Sequence, residues 1–315
     1  MEKSFSSVLI AIVALITGIT IHAADLDGDG LDDISRSSRL PDDLDISKLE
    51  IISSRTNKTL SGIFVLGNGG VSPGYFSGDF SIYTNYSTRN PDVSTYSFRW
   101  DEHLQDWILY RSSSWSEPSR DEEYSLNGRK VPEKLVLPTE FKVQRIKCCT
   151  KFSDFNPATE IAAMTSDDQR KEILDDFKKI VTLLSEGKSR TLLQTTEKDK
   201  TTIKKIPPPD FAYELSTIVG TAKTEDINNY AYFLQQNDEN IPAAIILKSI
   251  HDKYPERIVA TLNLADAYWG LGMKKAACPL YVEYVSKMNN AGKRLKIPKS
   301  ALQRSDCNSN IKLDR

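Results

Sequence analysis

The chain contains the same residue pattern twice between residues 224 and 288, at an offset of 34 residues. Asn229 and Ala231 in the first copy correspond to Asn263 and Ala265 in the second. Further pairs at this offset are Ala243 with Ala277 and Leu247 with Tyr281. An internal period of about 20 to 50 residues indicates stacked copies of one supersecondary unit. Because small alanines let helices cross closely, each copy is predicted to be a helical hairpin.

The period and the residue types at its positions resemble the tetratricopeptide repeat family. In the second copy the resemblance rests on Asn263, Leu264, Ala265, Tyr268, Gly272, Ala277 and Tyr281. Pro255 ends the first copy where the family places its proline. Such solenoids usually need about three repeats to bury a continuous core, so flanking helices are expected to complete this one. The candidates are Phe211–Gly220, Ser166–Glu186 and Ser300–Arg304.

The resemblance also implies a binding surface for another protein. Tetratricopeptide arrays bind peptides or helices on the concave side, which the first helix of each pair forms. The matching positions here are Glu225, Asn228, Asn229, Tyr232, Gln235, Val259, Leu262, Asn263, Asp266 and Trp269. Tyr232 and Trp269 are the expected anchors, because aromatic rings supply much of interface energy; the alternative is that they pack under flanking helices. Tyr232 and Asp266 stand where some members carry basic residues that clamp a C-terminal carboxylate, so recognition of a free C-terminus is not expected.

The region before the helices reads as β-structure. Short segments rich in β-branched and aromatic residues lie between Leu49 and Lys147, separated by turn clusters. Polar and apolar residues alternate in Ser94–Trp100 and in Trp107–Arg111, with a turn between the two segments. This pattern predicts a hairpin with an aromatic face. The stretch resembles small β-domains of secreted bacterial proteins. The fold class is therefore α+β: an antiparallel β-rich domain over 40–150, a helix over 156–187, a linker over 188–210 and an all-α domain over 211–305. A capping box at Ser166 to Gln169 predicts the start of the first helix.

The first 24 residues have the features of a secretory signal. Lys3 supplies positive charge, Val8–Ile21 is apolar, and Ala23 or Ala24 suits cleavage. We expect a periplasmic or secreted mature protein with no stable membrane span after cleavage. An uncleaved anchor is the alternative, although the apolar stretch is shorter than the roughly 20 residues that span a bilayer.

Four cysteines are compatible with an exported protein, because disulfides persist in oxidising compartments. They allow three pairings. A bond between Cys278 and Cys307 would tie the C-terminal tail to the last helix, whereas the neighbours Cys148 and Cys149 are not expected to bond with each other. Free or buried thiols remain the alternative.

The segment after the signal resembles calcium loops of the EF-hand and dockerin type. Asp25, Asp27 and Asp29 stand at alternate positions, and Asp33 stands at the ninth position of such a loop. Gly30 stands at the sixth position, where the chain turns sharply. The same acidic string also opens modules of the FG-GAP type. Arg36 stands where the bidentate Glu belongs, so the alternative for residues 25–39 is a solvated acidic arm.

Charge and histidine content narrow the function classes. A formal net charge of -2 argues against a nucleic-acid partner. Behind the signal, His103 and His251 are the only histidines, and no Gly-x-Ser-x-Gly elbow is present, so catalysis is not expected. The sequence favours an exported, non-catalytic protein-binding protein of the bacterial envelope, either an immunity or inhibitor protein for a secreted effector or an assembly scaffold. A calcium-assisted protein that binds a cell surface or cell wall is the alternative function, and a hydrolase is the third. No cofactor other than Ca²⁺ is expected.

Overall fold

The computed structural model describes residues 20–40, 43–66, 70–73, 78–85, 92–116, 139–156, 158–187, 195–198, 201–204 and 209–307. Two antiparallel sheets occupy the N-terminal half and several helices the C-terminal half, so the predicted α+β fold class is confirmed. The chain divides into two compact units. The β unit holds the described residues of Met1–Ser116, Lys142–Gln169 and Thr195–Lys205, and the helical unit holds those of Glu117–Phe141, Arg170–Gln194 and Ile206–Arg315.

The first sheet is a four-stranded antiparallel meander. Its strands are β1 Thr20–Ala24, β2 Asp33–Leu40, β3 Asp43–Ile52 and β4 Thr59–Val65. Alternation along β3 and β4 buries Leu49, Ile51 and Phe64. Strand β1 overlaps the predicted cleavage site, and residues 1–19 lie outside the described part, so the signal sequence stays a prediction.

The second sheet has five strands in sequence order. They are β5 Gly70–Pro73, β6 Asp79–Asn85, β7 Asp92–Asp101, β8 Asp106–Ser116 and β9 Thr139–Arg145. The predicted aromatic hairpin is β7–β8, in which Trp100 pairs with Trp107. A 3₁₀ turn at Phe152–Asp154 follows β9.

Aromatic rings dominate the core of the β unit. Phe64, Phe80, Phe98, Trp107 and Phe152 are all buried within one cluster. Leu26 from the acidic N-terminal loop belongs to the same cluster. The indole N–H of Trp107 donates to the carbonyl oxygen of Leu26 at 3.3 Å. The core therefore holds the acidic loop in a defined position.

Helix α1 spans Ser166–Ser185 and differs from the predicted capping box in its first turn. The hydroxyl of Thr165, one residue earlier, accepts the backbone N–H of Asp168 at 3.3 Å and donates to the Asp168 carboxylate at 2.7 Å. Gln169 instead accepts the backbone N–H of Arg145 at 3.3 Å and donates to the Met164 carbonyl. Thr165 and Asp168 form the cap, so the helix begins at Ser166, as the capping residues predict, and later than the start of the predicted helical segment 156–187.

The predicted linker over 188–210 contains a two-stranded hairpin. Strands β10 Thr195–Lys198 and β11 Thr201–Lys204 pair antiparallel. Threonine is β-branched and favours the extended backbone, which is the physical reason that a Thr-rich segment forms strands.

The helical unit repeats its helices at the 34-residue period. Its elements are α2 Pro209–Thr217, α3 Thr224–Gln236, α4 Asn240–Lys253, α5 Ile258–Gly270, α6 Lys274–Asn290, a 3₁₀ turn at Arg294–Lys296, and α7 Lys299–Arg304. The first residues of α3 and α5 are 34 positions apart, and so are those of α4 and α6. Ala231, Ala243, Ala265 and Ala277 are fully buried where these helices cross.

Flanking helices complete the core of the helical unit. The hydroxyl of Ser249 on α4 donates to the Ser216 carbonyl on α2 at 2.8 Å. The ring of Phe177 on α1 lies 6.2 Å from that of Tyr230 on α3, and Ala301 on α7 is buried against α6. Among the described helices, none is long and apolar enough to cross a membrane.

Candidate functional site

Three of the predicted partner-binding residues on α3 are exposed. Glu225, Asn229 and Tyr232 all face solvent, and 47% of Tyr232 is exposed. They lie three or four residues apart and so share one face of the helix. Gln235 continues this face and is partly buried; its side-chain oxygen has no hydrogen-bond partner among the described residues.

The neighbouring helix α5 contributes a second exposed apolar side chain. Val259 is 61% exposed, and Leu262, one turn further along, is partly buried against the core. Helices α3 and α5 contact each other, and each carries one of these exposed side chains, Tyr232 on α3 and Val259 on α5. We call Glu225, Asn229, Tyr232 and Val259 the α3–α5 face.

Asn228 and Asn263 do not reach this surface, which corrects the prediction that they contact a partner. Both are buried, and the Asn263 amide donates to the Asn228 side-chain oxygen at 3.4 Å. A buried amide has to find a hydrogen-bond partner, and here each residue supplies it to the other. The pair therefore joins α5 to α3.

The far end of α5 is covered by the last helix of the chain. Arg304 on α7 donates to the Asp266 carboxylate at 2.8 Å, and its guanidinium lies 4.8 Å from the centre of the Trp269 ring. The Tyr281 hydroxyl donates to the same carboxylate at 2.5 Å. Burial, and then the hydrogen bond to Asp266, raise the pKa of Tyr281. Asp266 and Trp269 are thus held by intramolecular contacts and are partly buried, so their partner-binding role stays a prediction.

A disulfide fixes α7 in this position. Cys278 on α6 is bonded to Cys307, with 5.6 Å between their Cα atoms. Cys278 is buried, and the bond closes a loop of sequence separation 29. The structure also has a disulfide between Cys148 and Cys149, which are joined by a cis peptide bond, whereas the sequence argument expected these neighbours to stay unpaired.

Three of the four predicted calcium ligands converge at the N-terminal loop. One carboxylate oxygen each from Asp25, Asp27 and Asp29 lies within 4.8 Å of the others. Calcium binds oxygens at about 2.3–2.6 Å, so ligands on opposite sides of an ion are about 5 Å apart and the group fits a shared cation. Arg55 places its Nε 3.7 Å from an Asp27 oxygen and supplies positive charge at the same place.

Asp33 has a different role from the one predicted. It is fully buried, and its two oxygens accept the backbone N–H groups of Leu26 at 2.7 Å, Asp27 at 3.1 Å and Ser54 at 2.7 Å. A carboxylate that accepts three N–H groups holds the backbone of the loop. The structure does not include it in the converging group.

Burial and the repulsion between carboxylates shift the pKa of Asp27 in the acidic loop. Burial raises the pKa of Asp27, the hydrogen bond from the Ser53 hydroxyl at 2.9 Å opposes this, and the neighbouring charges of Asp33 and Asp29 raise it further. The Ser54 hydroxyl donates to Asp29 at 3.0 Å. A cation at this position would relieve the repulsion between the carboxylates.

His103 and His251 lie in separate settings. His103 is exposed in the turn between β7 and β8. The Nε2 atom of His251 on α4 lies 3.0 Å from a Glu283 oxygen on α6, and Lys287 also pairs with Glu283. This network joins α4 to α6.

The residues that contact the end of α5 and the acidic loop from elsewhere in the chain were not predicted. Arg304 covers the end of α5, and Ser53, Ser54 and Arg55 surround the acidic loop. Ser53 and Ser54 are 26 and 25 residues from the carboxylates that they contact, so no local pattern identifies them. Comparison with protein-family models, with curated proteins and with solved structures found no match.

Proposed function

We propose that this chain is an exported, non-catalytic protein that binds a segment of another protein on the α3–α5 face. The observation that carries the proposal is the exposure of Tyr232 and Val259 on adjacent helices. Their positions are those at which the tetratricopeptide resemblance implies ligand contact. An immunity or inhibitor protein for a secreted effector, and an assembly scaffold, are the two forms of this function that we propose.

The chemistry of the α3–α5 face suits an extended peptide. Tyr232 combines a large apolar ring with a hydroxyl, a combination that is enriched at interface anchors. Asn229 offers an amide that both donates to and accepts from a peptide backbone, and Glu225 adds a negative charge. We therefore expect a partner segment with apolar side chains and a nearby basic residue.

A comparative capture experiment tests this surface. The immobilised protein is incubated with envelope extract, and captured proteins are quantified by mass spectrometry for the wild type and for Tyr232→Ser combined with Val259→Ser. We expect at least one protein to be depleted about tenfold or more in the variant, since loss of an aromatic anchor costs about 2 kcal/mol of binding.

The matched control replaces two exposed apolar residues outside the face. Val282 and Leu302 are 48% and 47% exposed on α6 and α7, so Val282→Ser with Leu302→Ser removes similar apolar area. Capture should be unchanged in this control. Equal capture by the wild type and the face variant would show that the binding surface lies elsewhere.

Calcium binding at the N-terminal loop is a second candidate function. It is favoured by the convergence of Asp25, Asp27 and Asp29 within 4.8 Å. These three carboxylates would hold the ion on the loop beside the β unit core and stabilise the loop for binding at a cell surface or cell wall. Calcium should then raise the melting temperature, and magnesium, which requires tighter octahedral geometry, should raise it less.

A further inference from the structure

The turn between α6 and α7 displays a single leucine among basic residues. Leu295 is 102% exposed, and Lys293, Arg294, Lys296 and Lys299 around it are exposed as well. Among the residues that the structure describes, these four cations have no carboxylate partner, in contrast to Lys287 and Arg304 nearby. We call residues 293–299 the basic turn.

The backbone of the basic turn is held on both sides. Helix α6 ends at Asn290, and Gly292 just beyond it has a φ of +69°, the left-handed conformation that glycine adopts readily. The N–H of Lys293 donates to the Met288 carbonyl at 2.9 Å. The N–H of Lys296 donates to the Lys293 carbonyl at 2.9 Å, which closes the 3₁₀ turn. Met288 and Ile297 are both buried in one cluster. Leu295 is therefore presented from an anchored turn.

The charge around the turn departs from that of the whole chain. Lysine and arginine number 41 and acidic residues 43 over the full sequence. Between Tyr284 and Ser305, however, the chain has six basic residues and no acidic one. The near-neutral total hides this local excess.

We propose that the basic turn binds the surface of an anionic lipid bilayer, with Leu295 inserted between the headgroups. Basic side chains are attracted by the negative surface potential, and an apolar side chain at their centre is buried in the interface. A nucleic acid offers phosphates to the same cations but gives no apolar environment to an aliphatic side chain. A fully exposed leucine among cations is buried by a soft surface that deforms around it.

The expected strength is that of a reversible surface contact. Each basic residue near an anionic membrane contributes about a fivefold factor to partition. Burial of one leucine adds about tenfold or more. This surface uses none of the residues of the α3–α5 face, so the inference does not depend on the proposed function.

Vesicle sedimentation tests the inference with residues 25–315, the mature protein expected after cleavage of the signal. Binding is measured to vesicles of phosphatidylcholine alone and of phosphatidylcholine with about one third phosphatidylglycerol, at low and at high salt. We expect binding only to the anionic vesicles, lost at high salt. Leu295→Ser should weaken it about tenfold, and Lys293→Glu with Lys296→Glu at least about 25-fold.

Matched variants elsewhere separate the turn from general charge effects. Lys58→Glu with Lys147→Glu makes the same charge change at exposed sites of the β unit, and Leu104→Ser removes a partly exposed leucine there. These variants should bind as the wild type does, and circular dichroism checks that every variant is folded. Absence of binding by the wild type, or equal binding by Leu295→Ser and wild type, overturns the proposal. The proposal is also overturned if the protein binds a thymidine oligonucleotide as strongly as it binds the anionic vesicles and Leu295→Ser does not weaken that binding. The turn would then bind phosphates by charge attraction alone.

Discussion

At the scale of single residues, Asp33 stabilises the acidic loop by accepting backbone N–H groups, as Asp25, Asp27 and Asp29 also do. Its carboxylate accepts three backbone N–H groups and is fully buried. Asp33→Asn replaces one acceptor oxygen by an NH₂ group, which leaves at least one N–H without an acceptor. We expect the free energy of unfolding to fall by about 2 kcal/mol without calcium, measured by urea denaturation.

The paired variant Asp25→Asn with Asp29→Asn separates metal binding from loop stability. Both residues are only partly buried, so their loss should change stability by less than that of Asp33 does. The calcium-dependent rise in melting temperature should disappear in this variant, because two of three ligands lose their charge. If the rise persists, calcium binds elsewhere or acts non-specifically.

Glu283 gives a pH-dependent prediction. Partial burial raises its pKa, but hydrogen bonds from Lys287 and His251 outweigh this and lower it below its ordinary value of 4.5. An acid with a lowered pKa contributes stability above its unfolded-state pKa and loses it as the pH falls through the folded-state value. Glu283→Gln should therefore be less stable than the wild type at pH 7, by at most about 1 kcal/mol since solvent screens the pair. Denaturation curves between pH 3 and 7 should show the difference closing below about pH 4.5.

At the scale of the helix, α3 has two faces with opposite roles. Tyr230 is fully buried, whereas Tyr232, two positions later, is 47% exposed. Tyr230→Ala should lower the free energy of unfolding by about 3–5 kcal/mol through a core cavity. Tyr232→Ala should change it by no more than about 0.5 kcal/mol while reducing partner capture. A large stability loss in Tyr232→Ala would place this ring in the core and not on a binding surface.

The elements were predictable from the sequence where local pattern determines them. The hairpin β7–β8 is marked by its two aromatic segments about a turn, although its register shifts between Ser97 and Phe98. The start of α1 is marked by capping residues even though Thr165 and not Ser166 provides the hydroxyl. The hairpin β10–β11 was missed because its charged, Thr-rich residues are also typical of linkers.

At the scale of the whole molecule, the 34-residue period was visible because both helical hairpins carry similar residues at equivalent positions. The candidate site was less predictable. Arg304 contacts Asp266 over 38 residues of chain and Asp33 contacts Ser54 over 21, and both contacts depend on the folded path between them. The repeat pattern therefore predicts the helical hairpins, but not that Arg304 contacts Asp266 and Trp269 or that Asn228 and Asn263 are buried.

Removal of the disulfide between Cys278 and Cys307 should destabilise the helical unit only. Cys278→Ser with Cys307→Ser is expected to lower the stability of the helical unit by about 2–4 kcal/mol. Hydrogen exchange should increase in α7 and the end of α5, while the sheets of the β unit keep their wild-type protection. Equal increases throughout the chain would indicate that the two units unfold together.

The Arg304 contact also limits the size of the partner that we propose for the α3–α5 face. With the end of α5 covered, the open surface is two helices wide, about 20 Å at the usual spacing of helix axes. An extended strand rises about 3.3 Å per residue, so such a surface accepts about six residues of a partner. An interface of this size is typical of partners that exchange rapidly. The chain would then sample many copies of a short motif in turn, releasing each one quickly.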